Sequence, residues 1–332
     1  MTRRVLSRPV TPRHALLAAA GLAAVCAAAA ARADTAVVLN SLDASISVID
    51  RASRTEIRRV SVGKEPHHLI WSLDGKSLIV ASAAGNELAF VDPATGEIER
   101  RVRNIVDPYH LAFSPDRRWL VTAANRLDHV DLYEAVGIKL VKRIPLGKIP
   151  SHLAFDRASR FVFVTLQGSN EVAAIDLAAQ RVAWIHPVGT MPAGIWMTPD
   201  DRYLLVGITG RDFVEVIDWR ERRTVRKVVT GRGAHNFAPI QGGRQVLVSN
   251  RAANTISVLD PEQLAVVDSF AVPSGPDCMD VSPDGRELWV TARWAREVVV
   301  VDLPARKVER SIPVGRSPHG VFLMANAPRD PR

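Results

Sequence analysis

Three histidines fall 42 residues apart, His68, His110 and His152, and three more, His67, His235 and His319, occupy the preceding position in the same phase. With the phase continued, the earlier slot reads His67, Tyr109, Ser151, Ala193, His235, Asp277, His319, and the later one His68, His110, His152, Gly194, Asn236, Cys278, Gly320. Six of the eight histidines beyond residue 33 sit in these 14 positions, where even scatter would place about 0.4. Neutral imidazoles that converge bind copper, zinc or haem iron, at metal to nitrogen distances of about 2.0–2.2 Å. Asp277 and Cys278 are expected to face His319, His67, His68, His110 and His152 from across the ring, and a cysteine there favours copper or zinc. The candidate metal ligands are therefore His67, His68, His110, His152, His235, Cys278 and His319. The competing reading makes the histidines ordinary turn residues and Cys278 a small strand residue.

Convergence requires elements that return to one axis. The pattern apolar-Ile/Val-Asp recurs at Asp50, Asp92, Asp176, Asp218, Asp260 and Asp302, with Glu134 in the remaining slot. A following turn carries Pro66, Pro108, Pro150, Pro192, Pro276 and Pro318, Ala234 being the exception. A second turn carries Asp74-Gly75, Asp116, Asp200, Gly242-Gly243 and Asp284-Gly285, residue types suited to tight connections. Between the turns lie four short Val- and Ile-rich runs per repeat, for example 68–71, 77–82, 45–50 and 55–62. Four strands in 42 residues, seven times over, predict an all-β, seven-bladed β-propeller over residues 34–332. The phase predicts its closure: the first strands after residue 33 complete a blade with the C-terminal inner strand, removing the free edges.

The string Val-Gly-x-x-Pro-His, then Ser-x-Asp-Gly, Leu-x-Val-Thr and Val-x-Val-Ile-Asp, best preserved in residues 313–323, 274–290 and 60–80, resembles the YVTN family of propeller repeats. The resemblance implies the fold, and it extends to the haem d1 propellers, which carry a tetrapyrrole at the channel mouth on eight blades. A haem-type tetrapyrrole is accordingly a third cofactor class beside copper and zinc. Loops expected on the same face supply Arg126, Arg211, Arg251, Arg293 and Trp294. Of these, Arg126, Arg251, Arg293 and Trp294 are the cofactor-binding candidates, suited to carboxylates and an aromatic ring.

Arg3, Arg4, Arg8 and Arg13 precede an uncharged Ala/Leu-rich run that ends in Ala31-Arg32-Ala33. This reads as a cleaved signal peptide over residues 1–33, with a start that resembles a twin-arginine signal, and hence as a periplasmic or secreted protein with no stable membrane insertion. The segment holds five of the 43 Lys and Arg residues and none of the 35 Asp and Glu, so the remainder is only +3. That thin basicity argues against nucleic acid. Cys278 is the sole cysteine left, so stability must come from burial and ring closure.

The leading expectation is a monomeric binding propeller holding a metal ion or metallo-cofactor at the channel mouth. The alternatives are an enzyme using the same site, either a lactonase-like hydrolase or a tetrapyrrole oxidoreductase, and a scaffold for a periplasmic protein partner. Gly-x-Ser-x-Gly and zincin motifs are absent from the sequence.

Overall fold

In six of the seven repeats the Asp at the end of the third strand makes the turn to the fourth. Its carboxylate accepts backbone N–H groups two or three residues on, as in Asp50 with Ser53 (2.7 Å), Asp92 with Ala94 (2.7 Å) and Asp260 with Glu262 (2.8 Å). The first-to-second strand turn is made by a hydroxyl–carboxylate pair: Ser72–Asp74, Ser114–Asp116, Thr198–Asp200 and Ser282–Asp284, at 2.5–2.6 Å. The repeated residues are thus turn chemistry, and the Val/Ile runs between them are free to pair.

The computed structural model describes residues 34–327 together with Met1; the expected leader lies outside the described residues. Twenty-eight strands form seven four-stranded antiparallel sheets. Numbering the blades in chain order, blade 1 is residues 35–61 with Pro318–Leu323, and blades 2 to 7 are residues 66–103, 108–145, 150–187, 192–229, 234–271 and 276–313. The inner strand of each blade touches those of its neighbours, the last meeting the first. The strands lie where the repeat predicts, except that inner strands begin about two residues earlier, at the proline itself. A proline can open a strand because its missing N–H lies outside the ladder.

Each pair of neighbouring blades encloses one apolar cluster, seven in all. Between blades 7 and 1 the fully buried Trp289 packs with Val38, Ile49, Val298 and Val321. No blade could bury both faces alone, so ring closure holds the fold together. Closure is made as expected: Pro318–Leu323 pairs antiparallel with Thr35–Asn40, in the register Val37↔Phe322 and Val38↔Val321. The Asp280 carboxylate of blade 7 fastens this clasp by accepting Leu323 N and Asn326 Nδ2, both at 2.7 Å. Among the described residues no helix is long and apolar enough to cross a membrane.

Candidate metal centre at the channel mouth

In five blades both slots after the turn are freed by a break in strand pairing, whereas in blades 2 and 3 only the first slot leaves the ladder and His68↔Ala81 and His110↔Ala123 stay paired. In blade 7 the inner ladder runs from Pro276↔Ala292 directly to Met279↔Val290, which leaves Asp277 and Cys278 outside it. Blades 4 and 6 do the same around Ser151–His152 and His235–Asn236. A hydroxyl 13 residues on takes the second slot's freed N–H: His152 N to Thr165 Oγ1 (3.0 Å), Asn236 N to Ser249 Oγ (3.1 Å), Cys278 N to Thr291 Oγ1 (3.0 Å). Thr165 and Thr291 donate onward to Ala193 O (2.6 Å) and His319 O (2.7 Å) of the next blade. Blade 5 instead has glycines: a Cβ on Gly194 would stand 2.0 Å, and one on Gly207 2.8 Å, from His235 O. Bulge, hydroxyl and glycine together bring the slots to the axis.

All six slot histidines meet there. Ring centroids are 3.7 Å apart for His67–His319, 4.3 Å for His68–His110, 5.0 Å for His68–His152, 5.1 Å for His110–His152 and 5.5 Å for His152–His235. The expectation that Asp277 and Cys278 face the histidines from across the ring is corrected. Blades 7 and 1 are neighbours, so Asp277 Oδ2 lies 3.6 Å from His319 Nε2 and Cys278 Sγ 3.5 Å from His319 Nδ1.

Hydrogen-bond partners assign the tautomers. His319 Nδ1 lies 2.7 Å from His67 O, and His68 Nδ1 lies 2.8 Å from Tyr109 O. A carbonyl only accepts, so both Nδ1 atoms carry hydrogen and both Nε2 atoms are bare. Thr209 Oγ1 gives its proton to Ala234 O (3.0 Å) and so accepts from His235 Nδ1 (3.3 Å), which bares His235 Nε2 as well. His67 Nδ1 lies 3.0 Å from His68 Nδ1, whose one hydrogen is given to Tyr109 O, so this contact does not set the His67 tautomer.

Among the described residues, two groups have ligand atoms within 4.8 Å of one another: His67, His68 and His319, and His235, Asp277 and His319. The first contains no carboxylate to offset the charge of a buried ion. The second presents bare Nε2 atoms of His235 and His319 beside Asp277, whose other oxygen, Oδ2, is held by Arg251 Nη2 (2.5 Å) and Arg293 Nη1 (3.0 Å). His235 Nε2 is 3.0 Å from Asp277 Oδ1, yet neither atom has an aligned hydrogen-bond partner, and His319 Nε2 is likewise unpartnered.

The electrostatics suit ligation. Burial pushes all six imidazole pKa values below the usual range, to about 4 for His68 and His235, so the rings are neutral near pH 7. Burial alone would raise Asp277, but the Arg251 guanidinium outweighs it and holds the carboxyl well below its ordinary value. Cys278 is a buried thiol whose pKa burial pushes up, and Asn236 Nδ2 points at its sulfur from 3.3 Å. It borders the site through His319.

Of the rim candidates, Arg251 and Arg293 are part of the centre through Asp277. Arg126 pairs with Glu65 (2.5 Å) and Asp107 (2.7 Å). Trp294 is 62% exposed and lies against Gly275. Sequence reasoning placed Asp277 at the mouth without making it a ligand, and it missed the positioning role of Thr165, Ser249, Thr291 and Thr209. For Thr165, Ser249 and Thr291 the available signal was a position 13 residues after the second slot, which holds Ala81, Ala123 and Gly207 in other repeats.

The family model of YNCE-like beta-propellers matches residues 6–329. The chain belongs to that family. No curated protein matches it. The solved structures similar to this YNCE-like propeller include a functionally unknown protein from Desulfotomaculum acetoxidans, with TM-score 0.76, 16% identity, and coverage of 87% of this chain and 98% of that one. Kuenenia stuttgartiensis hydrazine synthase gives TM-score 0.69, 18% identity, and coverage of 79% and 90%. Dihydro-heme d1 dehydrogenase NirN, solved in complex with DHE, gives 0.67, 16%, and 89% and 76%. At these identities the likeness is one of fold.

Proposed function

We propose that this chain is an exported propeller that holds a divalent transition-metal ion, zinc or copper(II), at its channel mouth through His235, Asp277 and His319. The observation that carries the reading is the cluster of bare ligand atoms: His235 Nε2, Asp277 Oδ1 and His319 Nε2 are all buried and without hydrogen-bond partners. A buried acceptor left unsatisfied costs about 1–3 kcal/mol, and a bare imidazole nitrogen facing a carboxylate oxygen at 3.0 Å adds repulsion that a bound cation turns into two bonds. Outer contacts of the kind that orient metal ligands support it: Nδ1 of His319 on a backbone carbonyl, Nδ1 of His235 on a hydroxyl, and the carboxylate on two guanidinium groups. Three protein ligands leave coordination positions for a small exogenous ligand. The imidazoles are packed at 3.7–5.5 Å between centroids, too close for a macrocycle to enter between them, which favours a bare ion over a tetrapyrrole. Export rests on the arginine-led, Ala-rich start of the chain and its Ala31-Arg32-Ala33 motif.

The test is elemental analysis and a visible spectrum of protein exported and purified without chelator, followed by cobalt(II) titration of the stripped protein. One ion per chain, absent from Asp277→Asn and His235→Gln variants that still fold, is the expected result. A wild type that takes up no cobalt, zinc or copper overturns the reading.

A further inference from the structure

We infer that the ligand completing the Asp277 centre is a small carboxylate anion, received by Arg251. The inference rests on the metal reading above and names the class of exogenous ligand that the centre takes.

Only half of the Arg251 fork is used. Nε–H and Nη2 of a guanidinium lie on one edge and donate in parallel, so a carboxylate can take both. Elsewhere in this protein it does. Asp131 takes Nε and Nη2 of Arg143, both at 2.8 Å, and Glu56 takes Nε and Nη2 of Arg59, both at 2.7 Å. Asp277 instead gives Arg251 only Oδ2, on Nη2 at 2.5 Å, and turns Oδ1 to His235. Arg251 Nε is left buried and without a hydrogen-bond partner, on the same edge as the Nη2 that holds Asp277. A buried donor on a charged group is costly to leave unpaired, so this edge calls for one more acceptor oxygen beside Asp277.

The charge count makes that acceptor an anion. Asp277 faces two guanidinium groups, and His235 and His319 beside it are neutral, so the centre holds one surplus positive charge before a divalent ion enters and three afterwards. The surrounding loops repeat the bias. On this face 209–212, 230–233, 251–254, 272–275 and 293–296, from blades 5 to 7, carry five arginines against one acid, Asp212. Across the ring, 83–86, 104–107, 125–128, 146–149, 167–170 and 188–191 carry Asp107, Arg126, Asp128 and Lys148, which cancel. An anion is therefore drawn to the Asp277 side of the mouth.

The shape of the acceptor follows from what surrounds it. A carboxylate is planar and matches the guanidinium edge, with one oxygen for Nε–H and the other for the ion. A phosphate brings further oxygens that need donors, and the nearby Nε2 atoms of His68 and His319 are bare acceptors.

The experiment follows the visible spectrum of the cobalt(II)-loaded protein, with cobalt kept saturating, as acetate, acetamide or inorganic phosphate is added at constant ionic strength. Acetate is expected to shift the cobalt bands with one-site saturation, and acetamide, its neutral counterpart, to leave them unmoved. Phosphate should bind at least tenfold more weakly than acetate. Arg251→Lys keeps a cation beside Asp277 but has no Nε–H, so it should hold acetate at least tenfold more weakly. Bands that acetate leaves unmoved, acetamide as effective as acetate, phosphate binding as tightly as acetate, or full acetate affinity in Arg251→Lys overturns the inference while the metal site stands. The comparison of the three additives needs only the wild type, so it decides the matter even where the variant fails to fold. A wild type that takes up no cobalt removes the proposed function, and this inference with it.

Discussion

His235 Nε2 and Asp277 Oδ1 lie 3.0 Å apart with no aligned hydrogen bond between them. In the fold this contact is the weakest point of an otherwise fully engaged group, because Asp277 Oδ2 is shared by Arg251 and Arg293. Asp277→Asn therefore has two separable effects. It should abolish metal uptake, and it should leave the Arg251 and Arg293 guanidinium groups without a countercharge, at a cost of about 3 kcal/mol. Urea unfolding of the metal-free proteins reads the second effect. Zinc in hundredfold excess over its dissociation constant should raise wild-type stability by about 2.7 kcal/mol and leave the variant unmoved.

Stability should fall as pH drops below about 6.5. The histidines are neutral in the fold because burial depresses them, to about 4 for His68 and His235. They therefore contribute stability that is present above the unfolded pKa of 6.5 and lost as pH falls toward 4, on the order of 3 kcal/mol for each of these two rings. Asp280 works with the opposite sign. Burial raises it to about 6 against the hydrogen bonds from Leu323 and Asn326, so its contribution is present below about 3.8 and lost as pH rises through 6. Urea midpoints of the metal-free protein between pH 4.5 and 8 should fall on the acid side, and the Asp280→Asn variant should fall more steeply there because it lacks the opposing term. A wild-type midpoint that is flat from pH 7 to 5 would count against neutral buried histidines.

The ring, its blade count and its closure were legible because the 42-residue period never slips and the turn residues Asp50, Asp92 and their equivalents mark it directly. The convergence of His67, His68, His110, His152, His235 and His319 followed from the same phase. Which nitrogens are bare did not, because the tautomers of His68 and His319 are set by carbonyls of Tyr109 and His67, on neighbouring blades and 41 and 252 residues away in the chain. The place of Asp277 beside His319 was misjudged for a related reason: blade 1 closes the ring, so the ends of the repeat series are neighbours in space.

Thr291→Val should weaken the centre from outside it. The hydroxyl accepts from Cys278 N at 3.0 Å and donates to His319 O at 2.7 Å, fixing the backbones of both slots at the junction of blades 7 and 1. Valine keeps the volume and removes both bonds, leaving a buried N–H and a buried carbonyl unpaired, at a cost of about 2–3 kcal/mol. Cobalt(II) affinity should drop with it, since His319 and Asp277 are freed to shift. A variant as unstable as expected but with wild-type affinity would separate the hydroxyl's folding role from any positioning role.

Gly194→Ala should be the most damaging single methyl in the ring. Its Cβ would fall 2.0 Å from His235 O and 3.0 Å from Asn236 Cα, both backbone atoms of the next blade, so no side-chain rotation relieves the clash. Blades 5 and 6 would have to separate along their inner strands, opening the apolar contact of Leu205, Val214, Ala234 and Val248 between them. Overpacking of this kind costs upward of about 3 kcal/mol when backbone must move, and the displaced residue is His235 itself. Loss of both the cooperative unfolding transition and cobalt uptake is expected, whereas Gly242→Ala, at a turn where an added Cβ meets nothing within 4 Å, should keep the metal and lose only the stability that its positive φ demands. Equal behaviour of the two variants would mean that the close approach of His235 O to blade 5 does not position the ligand.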